Sequence, residues 1–131
     1  MERNELRIGN WMLTSGGYMQ ITGIAWNTCW FDDLDYYHTE IKGIPLTPEI
    51  LEKCGFNFGV NENGTYYIDL NGIEQQLEIV LSLDGFYPQI VQAPEMSAED
   101  CQIVSVRNIK YLHQLQNLYY CLVGQELTIN L

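Results

Sequence analysis

Positive charge is scarce in this sequence: six lysines and arginines stand against 17 aspartates and glutamates, a formal charge of −11. A nucleic-acid surface needs a cationic track to displace counterions from phosphate, and an anionic membrane surface makes the same demand. Direct binding to nucleic acid or to a membrane is therefore not expected. Cysteine is sparse and scattered, at Cys29, Cys54, Cys101 and Cys121, with no Cys-x-x-Cys pair. Four free thiols in a reducing compartment are expected in preference to a zinc site. No stretch approaches the roughly 20 apolar residues of a membrane span, and the opening Met-Glu-Arg-Asn-Glu-Leu-Arg-Ile-Gly-Asn holds no apolar run of signal-peptide length. The expected location is the cytoplasm. Catalytic signatures are missing too: the sequence contains no phosphate loop, no Gly-x-Ser-x-Gly, no His-Glu-x-x-His and no dinucleotide fingerprint. Neither an enzyme nor a bound cofactor is the expectation.

What is present is best ordered around the stretch Asn108 to Gly124. At about 100° per residue, Tyr111, Leu112, Leu115, Leu118, Tyr119, Leu122 and Val123 fall within an arc of roughly 140°, an amphipathic helix. Asn108 is its expected N-cap, and Gly124 is expected to end it in the left-handed conformation. His113, Gln114, Gln116, Asn117 and Cys121 occupy the other side. The apolar stripe needs a partner, and the strand-rich region preceding it is the available one.

Before that helix the pattern is mostly strand. Leu6 to Leu13 and Tyr18 to Trp26, joined at Ser15-Gly16-Gly17, read as a hairpin, with Gly9 and Gly23 marking bends. Thr28 to Phe31 and Tyr36 to Ile44 follow around Asp32-Asp33-Leu34-Asp35. Residues 1–46 thus form an N-terminal β lobe, a bent hairpin or a small SH3-like barrel. Thr47-Pro48-Glu49 begins a short connecting helix over 47–56, capped by Thr47 and stopped by Gly55, with Leu51 and Phe56 as the closing apolar pair. Residues 57–131 are expected to hold an antiparallel sheet of about four strands plus the C-terminal helix. Its strands are Thr65 to Leu70, Ile73 to Leu83, Phe86 to Val91 and Gln102 to Val106, with turns at Asn71-Gly72 and Asp84-Gly85 and a loop from Ala93 to Asp100. The fold class is α+β, in one compact unit.

Three groups of side chains are candidates for function. Gln114, Gln116 and Asn117, with His113 beside them, give the helix an uncharged polar side in an acidic protein, where solvent-facing helices usually carry Glu and Lys. Such amides serve either packing against backbone or an interaction face. Trp11, Trp26 and Trp30, among many tyrosines, include rings that strand alternation turns outward, where aromatic residues favour protein interfaces. Asp33, Asp35 and His38 form the densest set of metal-binding residue types, but they lack the Asp-x-Asp-x-Asp-Gly frame of a calcium loop, and a solvated turn is the expected reading.

Asn4-Glu5-Leu6-Arg7-Ile8-Gly9-Asn10-Trp11, Ile44-Pro45-Leu46-Thr47-Pro48, Cys54-Gly55-Phe56, Tyr111-Leu112-His113-Gln114-Leu115-Gln116-Asn117-Leu118-Tyr119 and Gly124-Gln125-Glu126-Leu127 together resemble a family of small uncharacterised proteins of gut anaerobes, associated with prophages and conjugative elements. The resemblance implies a mobile-element accessory context and carries no activity to transfer. The expected function is a non-enzymatic protein-interaction module whose partner is another protein, with exposed sheet edges allowing a homodimer. The alternatives are an acidic DNA mimic that inhibits a nucleic-acid-binding protein, and a small metal-dependent hydrolase using Asp33, Asp35 and His38.

Overall fold

Alternation of side chains in Trp11–Thr14 (β1) sends Met12 and Thr14 inward and leaves Trp11 and Leu13 half-buried, the period-two pattern of a strand with one covered face. The computed structural model describes residues 5–59, 65–70, 75–82, 85–92, 102–105 and 107–131, and it shows an α+β chain of antiparallel sheets with one main C-terminal helix. The expected Asn71-Gly72 turn, Asp84 of the second turn, the Ala93 to Asp100 loop and Cys101 lie outside the described residues. The chain divides into two compact units.

The first unit joins Met1–Leu46 to Tyr111–Leu127. In it β1 pairs with Gly17–Gln20 (β2), Thr14 opposite Gly17, so that Ser15-Gly16 closes the hairpin where it was expected. The expected strand Tyr18 to Trp26 breaks at Ile21-Thr22. Ile21 donates back to the Asn10 carbonyl at 2.8 Å, whereas Thr22 donates forward to Trp30 at 2.8 Å. Gly23–Ile24 (β3) therefore pairs with Thr28–Phe31 (β4), which pairs in turn with Leu34–Tyr37 (β5). The two-stranded and three-stranded sheets remain separate, so the SH3-like barrel is not closed. Leu6, Met12, Ile21, Cys29, Phe31 and Ile41 form the core of the lobe. After a single 3-10 turn, His38–Glu40, Lys42 exchanges two backbone hydrogen bonds with Leu13, at 2.8 and 2.9 Å.

The second unit spans Thr47–Lys110 and Thr128–Asn130. Pro48–Lys53 (α1) starts as its sequence demands, with the Thr47 hydroxyl accepting from the Ile50 N–H at 3.2 Å. Gly55 adopts φ 85°, and Phe56 donates to the Leu51 carbonyl at 3.1 Å, with both side chains buried. Asn57–Gly59 (β6), Thr65–Leu70 (β7), Gln75–Ser82 (β8), Gly85–Gln92 (β9) and Gln102–Ser105 (β10) form one antiparallel sheet in the order β10-β9-β8-β7-β6, one strand more than the sequence pattern gave.

The helix, Leu112–Val123 (α2), belongs to the first unit and not with residues 57–110. It also starts later than expected, and Asn108 is not its cap. The chain stays extended because Ile109 donates to the Phe86 carbonyl at 3.3 Å and Tyr111, at φ −124° and ψ 151°, bridges to Pro45. Only at Leu112, whose N–H reaches the Ile44 carbonyl at 2.8 Å, does the helix begin. Gly124 ends it at φ 77°, as the sequence predicts.

Candidate functional site

The polar side of α2 faces inward. Gln116 is 1% exposed, and its side chain clasps the chain entering β1: Oε1 accepts from the Trp11 N–H at 2.8 Å and Nε2 donates to the Gly9 carbonyl at 3.0 Å. Asn117, half-buried, continues the seam. Its Oδ1 accepts from Asn10 Nδ2 at 2.8 Å and from Arg7 Nε at 3.1 Å, while its Nδ2 donates to the Glu5 carbonyl at 3.0 Å. Gln114 accepts from the Tyr111 N–H at 3.0 Å and so closes the first turn of the helix. These amides satisfy backbone groups that would otherwise lose their partners on burial. The outward interaction face on Gln116 and Asn117 is accordingly replaced by a structural seam.

Sequence reasoning missed the other half of the seam. Arg7 lies 4.4 Å above the Tyr120 ring centroid and forms an ion pair with Glu126, while its backbone N–H donates to Asn10 Oδ1 at 2.7 Å. No pattern within Arg7 or Glu126 announces a partner more than a hundred residues away. The segments that interlock here are Glu5 to Trp11 and Gln116 to Tyr120.

His113 is fully buried. Its ring stacks on Tyr111 with centroids 5.8 Å apart and planes 13° from parallel, and neither ring nitrogen has a hydrogen-bond partner. Burial alone holds its pKa down at about 4, so the imidazole is neutral at pH 7. Among the described residues no group hydrogen-bonds to either nitrogen, so none is placed to exchange a proton with it. Burial also raises the thiol pKa of Cys29, and that of Cys54 to about 12, which leaves both inert as nucleophiles. The three described cysteines are free thiols.

Asp33, Asp35 and His38 do not assemble. Asp33 is exposed in the turn after Asp32, which takes φ 59°; Asp35 points out from β5; His38 is buried at the start of the 3-10 turn. No group of three His, Cys, Asp or Glu side chains able to hold a metal occurs among the described residues.

Of the tryptophans, Trp26 and Trp30 are exposed, Trp30 on the outer face of β3-β4-β5. Cys29 and Phe31 of β4 point into the core, which turns Thr28 and Trp30 outward. Register then places Asp35 opposite Trp30 and Tyr37 opposite Thr28 on that same face. Trp30 is 42% exposed, Tyr37 57%, and Trp26, in the turn leading into β4, 80%. Trp11 is half-buried in β1 and belongs less to this surface. No lysine or arginine occurs anywhere in residues 8–41, which contain Asp32, Asp33, Asp35 and Glu40. The face is aromatic and acidic.

An open cleft of about 520 Å³ lies elsewhere in the first unit, lined by Ile41, Lys42, Gly43, Pro45 and Tyr111 among others. No helix among the described residues is long and apolar enough to cross a membrane. Compared with family models, curated proteins and solved structures, the chain matches none.

Proposed function

We propose that this protein is a non-enzymatic interaction module, a cytoplasmic accessory protein of a prophage or conjugative element, that docks a positively charged surface of another protein on the outer face of β3-β4-β5. The observation that carries this reading is the exposure of Trp26, Trp30 and Tyr37 on one edge of a lobe whose residues 8–41 hold four acids and no cation. Exposed tryptophan and tyrosine supply large contact area with little side-chain entropy to lose, and a field of one sign selects and steers a partner of the other.

A photo-cross-linking amino acid at position 37, and in a control at position 69 on the second unit, tests the reading in host cells. The expected result is one protein captured from position 37 and not from position 69. Its purified form should bind the parent chain and lose affinity with Trp30→Ala. Capture from both positions alike, or from neither, would overturn the reading. If duplex DNA displaces the partner, that partner is a nucleic-acid-binding protein and the face acts as a mimic of the phosphate backbone.

A further inference from the structure

Trp30 is exposed, yet one side of it has a neighbour in the sheet. β3 places Gly23 directly across from it, and the Trp30 side chain lies against that glycine: a Cβ there would sit in ordinary contact, 3.4 Å from Trp30 Cε3 and 3.6 Å from Trp30 Cβ. One flank of the ring is thereby packed on an edge strand, and the ring remains 42% exposed. On the other flank, β5 puts Asp35 in register with Trp30, and Tyr37 is the diagonal neighbour on the same face. The same chemistry appears inside this chain, where Arg7 sits 4.4 Å above the Tyr120 ring and pairs with Glu126.

From this juxtaposition we infer that Trp30, beside Gly23 and flanked by Asp35 and Tyr37, is a subsite for a single arginine or lysine side chain of the partner. A cation over an indole is attracted by the negative face of the ring, and tryptophan is the strongest of the aromatic side chains in this role. Asp35 supplies the compensating charge, and the guanidinium of arginine can satisfy ring and carboxylate at once. The absence of lysine and arginine from residues 8–41 leaves no cation from that stretch to compete for the site. This subsite rests on the docking reading above and narrows it to one side chain.

The test is a ¹H–¹⁵N titration of the full chain, following the three indole N–H resonances after assignment by Trp→Phe variants. The probe is an acetylated, amidated peptide of alternating arginine and glycine, with a second peptide carrying citrulline at every arginine position. The expected result is a saturable shift of the Trp30 resonance with the arginine peptide and binding at least about tenfold weaker with the citrulline peptide. Trp30→Ala should weaken binding about tenfold and Asp35→Asn, which leaves the packing intact, about threefold. Asp69→Asn, an exposed acid of the second unit, should change it less than about twofold. Equal losses for Asp35→Asn and Asp69→Asn, or no Trp30 shift, would mean diffuse attraction to net charge and would overturn the subsite. In that event a cross-linked partner that still depends on Trp30 would leave the docking reading standing, whereas absence of capture at position 37 would remove both.

Discussion

Gln116 holds Trp11 through its backbone. The amide oxygen of one accepts the N–H of the other at 2.8 Å, across 105 residues of sequence, while the amide nitrogen reaches the Gly9 carbonyl at 3.0 Å. One side chain thus satisfies a donor and an acceptor at the entry to β1, and its removal orphans both.

Gln116→Leu keeps the volume and loses both bonds. The expected loss of stability is about 2 to 4 kcal/mol, since each part-buried backbone group left without a partner costs on the order of 1–3 kcal/mol. Urea unfolding followed by circular dichroism reads it as a lower midpoint at unchanged slope. A midpoint equal to the parent's would show that water replaces the amide without penalty.

How much of this was legible in the sequence follows from how local each cause is. Thr47, Gly55 and Gly124 act on backbone groups within a few residues, and each does what its sequence position demands. The inward turn of Gln116 and Asn117 could not be read the same way, because their partners, Gly9, Trp11, Asn10 and Arg7, lie on a distant segment. Asn108 is a good N-cap by residue type, yet the pairing of Ile109 with Phe86 and of Tyr111 with Pro45 overrides that preference. The outward aromatics were legible as a class through strand alternation. Which ring lies across from a glycine depends on Gly23 meeting Trp30, a cross-strand register that the sequence does not display.

Gly43 is required by Tyr111. A Cβ on that glycine would meet the tyrosine ring at 2.5 Å from Cγ and 2.6 Å from Cδ1, so the ring lies directly on the backbone. Gly43→Ala should destabilise the chain by about 2 kcal/mol through overpacking. In a double-mutant cycle with Tyr111→Ala, the alanine at position 43 should become nearly neutral, giving a coupling of at least about 1 kcal/mol. Additive losses would contradict the contact.

His113 makes stability sensitive to mild acid. Its pKa is about 4 in the folded chain against an ordinary 6.5, so between those values the unfolded chain binds a proton that the folded one refuses. Stability from this site is complete above about pH 6.5 and falls as pH drops towards 4, by on the order of 3 kcal/mol. His113→Phe removes the proton site, and the parent-minus-variant difference in unfolding free energy should decline over that window by this amount. A difference that stays constant from pH 7 to about 4 would mean that the histidine is protonated in the fold.

The docking face is tested most directly by the affinity of Trp30→Ala for the purified partner captured from position 37, measured beside the unfolding midpoint of the same variant. Because Trp30 lies outside the core, its replacement should leave stability within about 1 kcal/mol of the parent. An interface on the outer face of β3-β4-β5 predicts binding weakened about tenfold or more in that fully folded variant. Unchanged affinity in a folded Trp30→Ala chain would contradict it.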